Sequence, residues 1–244
     1  MIGLFVAMML MFSLPSHSLI RLMRCRLFMS KHFSTSTEVL THENVIITIR
    51  QATQNDAIGM SNCNKANLPE YYSDTLCNQF IAKWPSLCIV AVAKSTDSRY
   101  NDENVIGYAL GRVEIPNWSA NKLLSSVSAS LQKSPLWNTG YTGHVSSIAV
   151  HPAFRGLGIA HAFMNRLHES FANDYNVDIV TLHVRANNLA AINLYTSALP
   201  YQFSQRLTRY YDDGEDAWLM TLNGNKKLIK TRLSQKNDVT NVSN

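Results

Sequence analysis

The chain has 244 residues, 46% of them hydrophobic, with 22 Lys/Arg against 17 Asp/Glu; that is enough apolar content for a packed core and too much for global disorder. Four of the bases and two of the acids lie in 1–46, and five and one in 224–244, so 47–223 holds 13 against 14. The net charge of +5 belongs to the ends, which argues against nucleic acid held on a basic folded face.

In chain order, residues 2–14 are an apolar run too short to span a bilayer. A basic, hydroxylated stretch follows at 21–37, with no acid before Glu38. Three readings stand side by side: a signal-peptide core, an organellar transit segment, or a later start at Met23 or Met29. Residues 1–45 are therefore set apart as an N-terminal extension. "VIITIRQA" (45–52) reads as a strand. Thr53 with Asp56 resembles a capping box that opens a helix through the sixties, and "LPEYY" (68–72) ends it at Pro69 in a loop. Residues 86–94 and 104–114 read as a strand pair. Residues 116–143, with two prolines and six serines, read as a surface insertion in which Leu123, Leu124, Val127 and Leu131 suit one short amphipathic helix.

"GHVSSIAV" (143–150) is the next strand, and "HPAFRGLGIAHAF" (151–163) leads into a helix with Ile159, Phe163, Leu167 and Phe171 every four positions. "VDIVTLHV" (177–184) reads as a strand buried on both faces. Residues 187–199 read as a helix capped by Asn188 and stopped by Pro200, and two strands flank a hairpin turn at Asp212-Asp213-Gly214. The order predicts a single α/β domain over 46–223, with a mixed sheet, flanking helices and a basic, disordered tail at 224–244. Cys25, Cys63, Cys77 and Cys88 have neither metal-ligand spacing nor the density of a disulfide framework, so no metal is expected.

The glycine-rich turn has a bland reading, in which Gly156 and Gly158 only let the chain bend into a helix. A dinucleotide fingerprint fits poorly, because the third glycine is missing and four residues separate the strand from Arg155. Arg155-x-x-Gly158-x-Ala160 at a helix N-terminus suits a pyrophosphate better, since exposed first-turn amides and the positive end of the helix dipole face it.

This R-x-x-G-x-A loop after "SSIAV" resembles the acetyl-CoA motif of the GNAT acetyltransferases. "LPEYY", "GHVSSIAV", "TLHVRANNLAAINLY" and "RYYDDGEDAWLM", in order over roughly 47–222, are together similar to the catalytic subunits of NatA N-terminal acetyltransferases. The departures are the extension, the insertion, and Gly156 where the family usually has a second arginine.

The resemblance implies a GNAT fold and acetyl transfer from acetyl-CoA to protein α-amines. By it, the backbone of Ile148, Ala149 and Val150 pairs with the pantetheine arm, and Arg155, Gly156, Leu157, Gly158, Ile159 and Ala160 hold the pyrophosphate. Asn188 and Tyr195 contact the CoA arm, and Tyr195 protonates the leaving thiolate. Glu70, Arg185 and Tyr211 match the family's active-site trio, with His183 in reserve as a base. Leu68, Pro69, Glu70 and Tyr71 form one wall of the substrate pocket, and Tyr210 and Tyr211 the other.

The resemblance further implies a helical-repeat auxiliary subunit, nascent chains at the ribosome, and a cytoplasmic location, with plastid or mitochondrion as the alternative through 1–45. It implies Ser, Ala, Thr or Gly N-termini with that subunit and acidic N-termini without it. Neither direct DNA binding nor a membrane span is expected. Two other functional classes stay open: an organellar acetyltransferase for lysine or small amines, and a non-catalytic binding subunit.

Overall fold

The computed structural model describes residues 37–42, 45–97, 103–114 and 141–241. Eight strands form one sheet in the order β1-β2-β3-β4-β5-β6-β8-β7. They are β1 (Glu38–His42), β2 (Val45–Gln51), β3 (Cys88–Ser95), β4 (Glu103–Glu114), β5 (Thr142–Val150), β6 (Ile179–Arg185), β7 (Gln202–Leu207) and β8 (Ala217–Leu222). Every neighbouring pair is antiparallel except β5 and β6.

The central strands are covered on both faces, as their unbroken apolar runs require. Along β3, Ile89, Ala91 and Ala93 join the cluster under α3 (Ile159–Asn173), which contributes Phe163, Met164, Leu167 and Phe171. The alternate residues Cys88, Val90 and Val92 face α1 (Ala57–Asn67) and α2 (Asp74–Lys83), meeting Met60, Cys63, Cys77 and Phe80. The period of two along a strand thus sends successive residues into two cores. Ile159, Phe163, Leu167 and Phe171 are all buried, as their spacing predicts. Gly143 lets α3 come close, for a Cβ there would stand 2.7 Å from the Phe171 ring.

Several expectations are corrected. β1 lies within the set-apart extension and pairs along its full length with β2, so the folded domain begins before residue 46. Asp56 takes the Thr53 N–H at 2.7 Å and its hydroxyl at 2.8 Å, and a bidentate ion pair to Arg50 adds bonds of 2.7 and 2.8 Å. Burial pushes the Asp56 carboxyl up, but Arg50 and the Thr53 bonds outweigh it and hold it below the usual carboxylate range. Helix α2 escaped the sequence reading, although Ser73 caps it by accepting the Leu76 N–H at 3.2 Å.

The expected insertion at 116–143 lies mostly outside the described residues, and its last two positions, Thr142 and Gly143, belong to β5. β6 is buried on one face only, because Thr181, His183 and Arg185 alternate with its buried residues. The helix expected over 187–199 is one short α-turn, α4 (Leu189–Asn193), that widens into a π-helical segment at Leu194–Ala198. The β7–β8 pairing closes at Leu207–Ala217, so Asp212-Asp213-Gly214 sits inside a loop over 208–216 rather than forming a two-residue turn.

The expected tail is likewise not loose from its start. Helix α5 (Asn225–Asn241) begins on the domain itself: the Lys226 N–H donates to Asp178 Oδ1 at 2.9 Å, Asn225 Nδ2 to the His168 carbonyl at 2.9 Å, and Ile229 is buried. A carboxylate at the first-turn amides also suits the helix dipole. Among the described residues, no helix is long and apolar enough to cross a membrane.

Candidate active site

The opening in the sheet comes from one ladder that stops early. β5 and β6 pair from Thr142–Ile179 only to Val145–Leu182, although β5 runs on to Val150 and β6 to Arg185. Each strand keeps its other neighbour, β5 with β4 to Val150–Gly107 and β6 with β8 to Arg185–Ala217. The two parallel strands therefore part, and among the described residues no strand pairs with the β6-facing edge of 146–150. A cleft of about 600 Å³ lies here, between loop 68–72, the diverging strands, the start of α4 and the loop at Tyr210–Asp212.

At one wall Arg185 gathers its two expected partners, Glu70 and Tyr211, and an unforeseen third, Asp213. Its guanidinium holds the Glu70 carboxylate through Nε at 3.1 Å and a short Nη2 contact. It bonds Asp213 at 2.7 Å, and its centre stands 4.1 Å from the Tyr211 ring centroid. Burial lowers the Arg185 pKa but the bonds to Glu70 and Asp213 outweigh it, so the group is held charged. Burial first, and Glu70 next, push the Tyr211 hydroxyl up to about 12, so it enters any reaction protonated. Glu70, Arg185 and Tyr211 come from loop, strand and hairpin, and the fold brings all three together.

The second wall carries a residue that the sequence reading missed. His144 and His183 project from adjacent parallel strands with ring centroids 5.1 Å apart, and His183 stacks on Tyr210 at 4.6 Å and bonds its hydroxyl at 3.1 Å. The Thr181 hydroxyl donates to the Gly143 carbonyl at 3.2 Å, so it accepts from His144 Nδ1 at 2.9 Å. That assigns the ring proton to Nδ1 and leaves Nε2 with a free lone pair. Burial, then the charges of Arg112 and His183, push the His144 pKa down to about 3, so the ring is neutral near pH 7. His183 is also shifted down, by burial and then Arg112.

Leu68, Pro69, Ile148, Asn188, Tyr195 and Tyr210 line the cleft as well, as do the unforeseen Tyr72, Arg112, Ser146 and Ser147. Tyr71 does not: it is 62% exposed, and Tyr72 takes the inward place, donating its hydroxyl to the Ser146 carbonyl at 3.1 Å. Asn188 caps α4 by accepting the Ala191 N–H at 3.2 Å. Tyr195 sits in the π-helical turn, buried, with its hydroxyl pushed well up by burial and then by Tyr211. Among the described residues, no group of three His, Cys, Asp or Glu could hold a metal ion.

The loop 155–160 lies at the far end of β5. Gly156 and Gly158 have φ of 81° and 80°, the left-handed region that favours glycine, and Gly158 caps α3. The amides of Ile159, Ala160 and His161 in the first turn have no partner within the helix, so the loop keeps the donors a pyrophosphate needs. The Arg155 side chain is not extended toward them; it turns back to the Val150 carbonyl at 2.9 Å and Asn67 Oδ1 at 3.1 Å, tying the loop to β5 and α1. Ala149 and Val150 are buried, so only their backbone is available to a ligand.

Comparison with known proteins accords with this geometry. Residues 60–199 match the acetyltransferase (GNAT) family. The N-terminal acetyltransferase A complex catalytic subunit NAA10 of Arabidopsis thaliana is 33% identical over 178 residues, 73% of this chain and 78% of that protein. The N-alpha-acetyltransferase of Saccharolobus solfataricus is 31% identical over 173 residues, covering 71% and 90%. Among solved structures, Chaetomium thermophilum Naa20 in complex with a bisubstrate analogue superposes with a TM-score of 0.55 at 26% identity, over 74% of this chain and 88% of that one. Arabidopsis thaliana NAA60 in complex with acetyl-CoA shares the fold with a TM-score of 0.58 at 21% identity, over 72% and 99%. The chain thus belongs to the GNAT acetyltransferase family, among its N-alpha-acetyltransferases.

Proposed function

We propose that this protein transfers acetyl from acetyl-CoA to the α-amine of protein N-termini by direct attack. The observation that carries the reading is the Glu70–Arg185–Tyr211 cluster set across the cleft from the unpaired edge of β5. The residues fit acetyl-CoA as co-substrate: the edge of 146–150 offers backbone groups to an extended amide-bearing arm, and the positive-φ turn at 156–158 offers helix amides to a pyrophosphate. Asn188 and Tyr195 line the same cleft as the edge.

The amine must lose a proton before it can attack, and an α-amine has an ordinary pKa near 7.7–8.0 against about 10.4 for lysine. A modest acceptor suffices. Glu70, oriented by Arg185, receives the proton. His144, held neutral with a pKa of about 3, takes none near pH 7 and acts only as a hydrogen-bonding group in the cleft. The N–C bond forms as the C–S bond breaks. The nitrogen gives up its second proton to water in the cleft, and the thiolate takes a proton from the neutral Tyr195, which regains one from the same water.

Loop 68–72 and Tyr210-Tyr211 leave room for a chain end with a small first side chain. By the same reading, an auxiliary helical-repeat subunit selects Ser, Ala, Thr or Gly N-termini at the ribosome in the cytoplasm, and the subunit alone favours acidic N-termini. The test offers Ser-, Asp- and Met-starting peptides and an N-blocked lysine peptide, with and without that partner. Faster turnover of the blocked lysine peptide in both conditions refutes the α-amine assignment.

A further inference from the structure

We propose that Asn64, Tyr108 and Ser147 form a buried hydrogen-bonded rail that positions loop 68–72, and with it Glu70, against the strand that borders the acetyl donor. The inference rests on the acetyl-transfer reading for what the loop does, but its geometry is independent of it. Asn64 is fully buried on α1 and uses both ends of its amide. Its Oδ1 accepts the Tyr72 N–H at 2.7 Å, and its Nδ2 donates to the Tyr108 hydroxyl at 2.8 Å. That hydroxyl, fully buried on β4, lies 2.7 Å from Ser147 Oγ on β5. A continuous run of bonds therefore joins the loop, α1, β4 and β5, and it ends on a residue that lines the cleft.

The rail has no evident purpose as ordinary core. A phenylalanine at 108, a leucine at 64 and an alanine at 147 would make an apolar core without burying three polar groups, and such groups are costly unless all are paired. What the polar version adds is direction. Asn64 captures a backbone N–H of the loop two residues beyond Glu70, and the Tyr72 hydroxyl adds a second fastening at the Ser146 carbonyl. Only the Leu68 N–H continues the helix pattern, donating to the Asn64 carbonyl at 2.9 Å; residues 69–72 lie outside helix and strand. The placement of the loop relative to β5 is set by these side chains and by the Glu70–Arg185 pair. Asn64, Tyr108 and Ser147 are positioning residues, since they act on the amine through Glu70.

The test uses the full chain carrying Tyr108→Phe, with Asn64→Ser, on α1 and away from the acetyl-CoA edge, as a second variant should the first fail to fold. Two readouts are taken. Amide hydrogen exchange at 70–72 is expected to quicken at least about tenfold in Tyr108→Phe, while amides in the middle of β3 and β4 keep their protection. With a Ser-starting peptide, kcat/KM is expected to fall about tenfold, with the KM for acetyl-CoA and its calorimetric affinity unchanged. Unchanged exchange in the loop overturns the proposal, as does an equal loss of acetyl-CoA affinity, which would mark a general loosening. Should the wild type acetylate no α-amine, the functional reading falls, and the exchange result alone decides whether the rail holds the loop.

Discussion

The two edges of β5 teach what separates scaffold from site in this molecule. Toward β4 the ladder runs from Thr142 to Val150 with one bulge at Ser146, and Val145 and Val150 drop into one core and Ala149 into the other. Toward β6 the ladder stops at Val145–Leu182, and the residues beyond it line a cleft with charged and aromatic groups. The first edge is held by burial, which is non-directional and tolerates exchange of like for like. The second is held by oriented bonds among Glu70, Arg185, Asp213, Tyr210 and His183, so substitutions there should change rate and leave stability nearly untouched.

The largest effect should come from Glu70→Gln, which keeps the shape of the loop and removes the charge. The expected outcome is a loss of about 100-fold or more in kcat with a Ser-starting peptide, the usual size of a general-base contribution, with acetyl-CoA affinity unchanged by calorimetry. A loss below about fivefold would remove Glu70 as the base and pass the role to His183, the reserve. The scaffold edge gives the converse case. Phe171→Ala, under the closely packed Gly143, should lower unfolding free energy by about 3–5 kcal/mol, while the folded fraction keeps its kcat; denaturant melts and assays at low temperature check both. Gly158→Trp strikes the third element, forcing a side chain into φ 80° at the cap of α3. Acetyl-CoA affinity should fall more than about tenfold at unchanged peptide discrimination, because strain at such a residue is of order 1–3 kcal/mol and bulk meets the ligand side.

The pH dependence separates the edges again. His144 is held neutral with a pKa of about 3, below its ordinary value near 6.5. His168, bonded to Tyr201 in the core between α3 and 201, is pushed to about 3 by burial and then by Arg232 and His161. Below pH 6.5 the unfolded chain binds protons that the folded one refuses, so this stability is complete above 6.5 and is lost as pH falls toward 3. Between pH 7 and pH 5 each histidine should remove about 2 kcal/mol. Urea melts at the two pH values check it, and His144→Gln should recover roughly half of the loss.

How much of this was legible depended on how local each cause is. The α3 periodicity, the positive-φ turn at 156–158 and the Asn188 cap are set within a few residues, and the sequence reading found them. Helix α2 had its signals, a Ser73 cap and Cys77, Phe80 and Ile81 on one face, but the sequence reading assigns nothing between the loop at 68–72 and the strand at 86. The start of α5 depends on Asp178 and His168, some fifty residues away, and composition alone read it as solvent-bound tail. His144 was invisible for a similar reason. Its role depends on Thr181 and Gly143 meeting across the one parallel ladder, a register that no stretch of eight residues contains. The trio itself was reached by resemblance; periodicity and spacing alone would have left Glu70 a loop glutamate.

The smallest expected effect concerns the second carboxylate on Arg185. Asp213 is bonded to the guanidinium at 2.7 Å, as Glu70 is on another edge, but its side chain is 54% exposed where that of Arg185 is only 18%. A solvated carboxylate on a loop contributes little through its charge, because water and salt screen it. Its geometric part is also replaceable, since Asp213 Oδ1 accepts the Glu215 N–H at 3.1 Å and an asparagine side-chain oxygen can do the same. Asp213→Asn should therefore lower kcat/KM by about twofold, and raising the salt of the wild-type assay to 0.5 M, roughly halving the Debye length from its value at 0.1 M, should reproduce most of that change. A loss above about tenfold, insensitive to salt, would mean that Arg185 needs both carboxylates to hold Glu70 in place. The hairpin would then belong to the machinery of the reaction as fully as the loop opposite it.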